Sequence, residues 1–246
     1  MEFITGVFIN LILQIIISYL SLLYFEKQRI FITNTEFVGA LILSIILIIS
    51  IFLIKSITTK FLLFCSLSII VGLLLTNRID KNNEEEVKMA EKSAIISIEL
   101  FLAMIIYALF LYLIKFKFPS IFGIYLFIFL VIITITIFII SIKNKYEMYY
   151  KQFAYIIIYI FGVFIVYDTL NILYEKNIKE LNNDFILASL DYFLDILNVF
   201  AACQSILSSA IMSVGFKKHL KHRLWRFGTI NIFITIYKTF ESWWRK

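Results

Sequence analysis

Proline occurs once, cysteine twice and glycine seven times in these 246 residues. Charge is scarce as well, since Asp, Glu, Lys and Arg make up 16% of the chain against 61% hydrophobic residues. A water-soluble domain of this length needs far more charge to cover its surface, so that class is excluded. The lone proline, Pro119, opens an apolar run, where a missing N–H costs little. Cys65 and Cys203 both lie inside apolar runs and behave there as small hydrophobes, carrying no message about redox compartment.

Catalytic signatures are missing too. There is no G-x-S-x-G, no P-loop, no H-E-x-x-H and no Cys–His pair at useful spacing, so the chain is not read as an enzyme. His219 and His222 form an H-x-x-H, but they stand in a basic tail without neighbouring Cys or carboxylate, which suits a membrane interface better than a metal. No cofactor is expected, and no N-x-S/T acceptor occurs. The net charge of +6 gathers at the ends of apolar runs and in the tail, which argues against nucleic acid as a partner.

What the chain does have is apolar runs of about 20 residues, each long enough to cross a ~30 Å hydrocarbon layer. Spans fall at roughly 3–25, 37–54, 61–76, 93–114, 118–142, 152–175 and 185–214, the third being short. Strand-length alternation is absent, and in lipid only helices or closed barrels satisfy every backbone group. The expected fold class is therefore all-α, a polytopic membrane protein of about seven transmembrane helices. Residues 1–215 are read as a single transmembrane domain and 216–246 as a basic, aromatic interfacial tail, with Phe227 to Trp244 an amphipathic surface helix. The first run lacks a basic leader and a small-residue cleavage site and is expected to be retained. The one long polar connection, 77–92, reads as a solvated loop with a helical start. The tail cluster Lys217, Lys218, Lys221, Arg223 and Arg226 places the C-terminus in the cytoplasm by the positive-inside rule; which membrane is involved is left open.

Four carboxylates lie inside these runs: Glu99, Asp168, Asp191 and Asp195. An acid near the centre of a spanning helix costs ~2.5–3.5 kcal/mol on insertion scales, so such residues face the bundle interior and have partners or functions. Glu99 is near enough to its span's end to reach the interface or to pair with Lys92. Asp191, Asp195 and Asn198 recur at i, i+4 and i+7, which is one stripe of a helix; Asp168, Asn171 and Glu175 recur at i, i+3 and i+7 on the preceding run. A short polar turn joins the two runs, which makes them antiparallel neighbours and sets Asp168 and Asp195 ~10–15 Å in from the same face. The plain alternative is that each acid is neutral and hydrogen-bonded between helices. Paired carboxylates are also the usual means of holding a proton or a hard cation such as calcium, and two that share a site titrate as a coupled pair.

The stretches FGVFIVYDTLNIL (161–173) and ASLDYFLDILNVF (188–200) resemble the paired signature of the transmembrane Bax inhibitor motif family. Tyr167, Asp168, Leu194, Asp195, Asn198 and Phe200 stand at its positions, and KFKFPSIFGIYLF (115–127) is similar to the family's basic turn and Phe-Gly span start. The resemblance runs from about Lys88 to Leu207. It implies a seven-helix fold with the last span central, a pH-sensitive calcium leak in which two aspartates sense protons, and a link to suppression of cell death. It also implies a basic partner for the aspartates near the end of the second span, for which Lys55 is the best match. Asp191 departs from the family, which has an uncharged residue there, and so does the tail of about thirty residues. The family's cytoplasmic N-terminus disagrees with the positive-inside count, which puts the N-terminus outside, and the orientation is left open.

The leading expectation is thus a calcium or cation leak gated by protonation of Asp168 and Asp195, with Asp191, Asn198, Asn171 and Lys55 in support and the two aspartates as the candidate calcium ligands. The lipid bilayer, calcium ions and protons are the expected partners. A membrane interaction protein that binds other membrane proteins to modulate cell death, and a proton-coupled transporter, are the alternatives; no inverted repeat supports the second.

Overall fold

The structure is a computed structural model and describes residues 2–28, 30, 32–76, 84–119, 121–142, 146–174 and 184–211. The interfacial helix expected at Phe227 to Trp244 and the pair His219 and His222 lie outside the described residues. Helices follow in the order α1 (Glu2–Lys27), α2 (Asn34–Leu53), α3 (Ile57–Thr76), α4 (Glu84–Leu113), α5 (Phe122–Ile142), α6 (Tyr146–Leu173) and α7 (Phe185–Ile211). Among the described residues there is no strand. All but α5 are long and apolar enough to cross a membrane, and α5 contributes a shorter apolar stretch, Phe122–Ile137.

Local chemistry explains the boundaries. Thr33 and Glu36 form a capping box at the start of α2: the Glu36 backbone N–H donates to Thr33 Oγ1 at 3.3 Å, and the Thr33 backbone N–H donates to Glu36 Oε2 at 2.6 Å. At the far end of α4 the backbone N–H of Lys115 donates to the Tyr112 carbonyl and that of Phe116 to the Leu111 carbonyl. This double reversal places Lys115 at φ 58°, a position that glycine fills more easily. The third span is not short, because α3 begins at Ile57 and includes Lys60, a charge that a hydropathy reading takes as a boundary. The helical start expected within the polar connection 77–92 falls at Glu84, where an acidic run suits the positive end of the helix dipole.

The chain divides into two compact units, one of residues 1–83 with 177–193 and one of residues 84–176 with 194–246. In the first unit α3 packs against both α1 and α2. The α1–α3 contact depends on Gly72: a Cβ there would lie 2.5 Å from the Ser18 carbonyl oxygen, 2.7 Å from Ser21 Cβ and 2.9 Å from the Leu22 backbone nitrogen. Small residues allow such backbone approach where lipid supplies no hydrophobic drive between helices. The first residues of α7 join the same unit through ring contacts, Phe8 stacking on Tyr192 at 6.0 Å and Phe64 meeting Phe193 edge-on at 5.3 Å.

In the second unit α6 packs on α4 and α5. Ala108, Leu111, Val166 and Leu170 form a buried cluster with Met104, Phe118 and Tyr174 packed against it. Gly123 makes room for Tyr167, whose hydroxyl lies 2.8 Å from where a Cβ would be. Burial rises towards the end of the chain, from 22% of the α4 window to 61% in α6 and 78% in α7. Large apolar side chains such as Ile9, Ile42, Ile106 and Leu113 are exposed, as lipid-facing groups are.

Gly72→Ala is expected to lower stability by about 1–3 kcal/mol, because the obstructing atoms are backbone and cannot swing away. Gly39 has nothing within 4 Å of its Cβ position. Gly39→Ala is therefore expected to be neutral or stabilising by up to about 1 kcal/mol. Thermal unfolding of the two variants in detergent checks the contrast.

Candidate functional site

The apolar sequence of α6 and α7 forces helix, and helix spacing then decides which polar side chains share a face. Asp168 is 9% exposed, Asp191 3%, and Asp195 and Asn198 are fully buried. Asp168 and Asp195 fall in the same compact unit, and Asp191 falls in the other, with the first residues of α7. Asn171 is half-buried on α6, while Glu99 is exposed on α4. Lys55 is exposed in the short link between α2 and α3.

Beside Asp168, the Thr169 hydroxyl donates to the Ile165 carbonyl at 2.6 Å, so it adds no free donor to the helix face. One turn beyond Asp195, the Asn198 amide nitrogen donates to the Leu194 carbonyl at 2.9 Å. Its oxygen, Oδ1, is buried and has no partner among the described residues. Among the described residues no three His, Cys, Asp or Glu side chains come together as a metal-holding group.

Among the described residues of the first unit, Lys60, in the first turn of α3, is buried. Its ammonium is paired with Asp184 Oδ2. Asp184 is also the cap of α7, its Oδ1 accepting from the backbone N–H groups of Ile186 and Leu187 at 3.2 Å each. One carboxylate thus fixes the start of α7 and ties it to α3. The sequence carried half of this signal, an Asp directly before an apolar run. The partner 124 residues away is a matter of tertiary packing.

A second group that sequence reading missed is a network of uncharged polar side chains. Asn10 on α1 donates to the Ser189 hydroxyl on α7. Gln14 donates to Asn10 Oδ1 at 3.2 Å and to Cys65 Sγ at 3.6 Å, and accepts from Ser68 Oγ at 2.8 Å. Gln14, Ser68 and Ser189 are fully buried. The available signal was the recurrence of Asn10, Gln14 and Ser18 at i, i+4 and i+8, a polar stripe along an otherwise apolar span.

Lys60→Ala strands a buried carboxylate and is expected to cost about 3–5 kcal/mol. Combining Lys60→Met with Asp184→Asn removes both charges and keeps a capping side chain, and is expected to lie within about 1–2 kcal/mol of the wild type. Thermal unfolding of the single and double variants in detergent measures the difference.

Comparison with curated proteins and with solved structures returned no match. Comparison with protein families matched residues 1–211 to the family described as Inhibitor of apoptosis-promoting Bax1. The match runs from α1 to the last residue of α7 and so extends well upstream of Lys88, where the visible signature begins. An all-helical architecture with six helices of membrane-spanning length among the described residues, and a family match over nearly the whole chain, lead to one identification: the chain belongs to the Bax inhibitor-like family.

Proposed function

We propose that the protein is a pH-sensitive leak for cations, calcium foremost, in which Asp168 and Asp195 hold the proton that decides between a closed and a conducting state. Calcium enters here as the transported ion and not as a resident cofactor. The observation that carries this reading is the burial of Asp168 and Asp195 in one compact unit of a membrane protein. Acids kept at that depth against their insertion cost mark ion and proton pathways.

The mechanism follows from the chemistry of carboxyl groups. With one proton between them, two carboxyls can form a hydrogen bond that holds their helices together. With both ionised, they repel each other or draw in a cation, for which carboxylate oxygens are the preferred ligands. Asp191, a further acid on α7, adds negative charge that concentrates cations near the path. Asn171 is a polar neighbour of Asp168 on α6, three residues on.

The family description, which names an inhibitor of a cell-death protein, favours a second reading: a membrane interaction protein whose acids serve helix packing only. A flux assay separates the two, since a pure scaffold conducts nothing.

Asn at both positions keeps size and hydrogen bonding and removes titration. Calcium flux through purified Asp168→Asn, Asp195→Asn protein in liposomes is expected to become nearly independent of pH between about 5 and 8, whatever its absolute level. Full wild-type pH dependence in the double variant places the sensor elsewhere.

A further inference from the structure

The side chain of Asn198 has two ends with different fates. Its amide nitrogen is fixed by the Leu194 carbonyl one turn back. The opposite assignment would set two oxygens against each other, so the end that points away from the backbone is the acceptor. That acceptor, Oδ1, is fully buried and without a partner among the described residues. An orphaned carbonyl oxygen in a low-dielectric interior is costly, and such an atom is kept where something else binds it.

Its position says what. Residues three apart on a helix are neighbours, and helical side chains lean toward the preceding turn. The bond to Leu194 therefore holds the Asn198 amide over the turn that carries Asp195. Gln204 also has an orphaned oxygen, but six residues on from Asn198 it faces the other side of α7, away from Asp195. Ser205, which does share the stripe, turns its hydroxyl back to the Ala201 carbonyl at 3.0 Å. Asn198 Oδ1 is thus a neutral acceptor on the Asp195 stripe that no described residue engages.

We infer that Asn198 Oδ1 is a neutral oxygen ligand for the cation that passes Asp195, a role that depends on the cation leak proposed above. Calcium takes six to eight oxygens, from carbonyls as well as carboxylates, and two aspartates alone fall short of that number. A carbonyl dipole also binds a cation without titrating, so it contributes to conduction at every pH. Asn198 thus governs how well the ion is held, while the acids govern when.

The test is calcium flux into liposomes carrying wild type, Asn198→Leu or Asn198→Asp, read from about pH 5 to 8, with thermal unfolding of each protein in detergent. Asn198→Leu keeps the volume and removes the oxygen; flux is expected to fall roughly tenfold with an unchanged pH midpoint, as one lost oxygen contact implies. Its stability is expected to be equal to or above that of the wild type, because an unsatisfied buried group has been removed. Asn198→Asp keeps an oxygen on the stripe and is expected to stay within about threefold of wild-type flux, a rescue that a purely structural role does not produce. Wild-type flux in Asn198→Leu overturns the assignment and leaves the leak standing. Equal loss in both variants, or failure of Asn198→Leu to fold, shows Asn198 to be a brace and overturns it as well. A wild-type protein that conducts nothing removes the leak and the ligand role together.

Discussion

In hydrocarbon a polar atom has no water to fall back on, and that constraint shapes this molecule. It makes every spanning segment a helix, since only then does each backbone N–H meet a carbonyl within its own segment. It sends the side-chain hydroxyls of Ser44, Ser50, Ser66, Ser93 and Thr134 back to the carbonyl one turn earlier, each four residues away. It also means that the polar groups spared this self-satisfaction are the ones with a structural or chemical task.

Three such groups stand out. Lys60 and Asp184 neutralise each other while Asp184 caps α7, so a buried charge pair doubles as a helix start. Buried pairs of this kind contribute little net stability, yet they define which helix end sits where, because any other arrangement strands two charges. Asn10, Gln14, Ser68 and Ser189 link α1, α3 and α7 through neutral bonds, which are cheap to bury when complete. The buried acids of α6 and α7, Asp168, Asp191 and Asp195, are the third group, and the proposed function is built on them.

The family match ends with the last residue of α7. This helix is the most buried of the candidate spans, at 78%, and it holds Asp191, Asp195 and Asn198 on one stripe. Its start is capped by Asp184.

The sequence alone determined that this is an all-α membrane protein, because apolar runs of span length leave no other fold in lipid. It also determined which residues are candidates for chemistry, since acids inside an apolar span carry an insertion cost. The span boundaries read from hydropathy erred where a charge lay inside a helix, as Lys60 does in α3, because hydropathy scores a lysine as exposed whether or not it has a partner. Only the tertiary structure decided that Lys60 is buried while Lys55 is exposed, that Gly72 brings α1 and α3 into backbone contact, and that Asn198 Oδ1 has no partner among the described residues. Each of these depends on atoms brought together from distant parts of the chain or on one atom's lack of a neighbour, and no periodicity along a single helix encodes either.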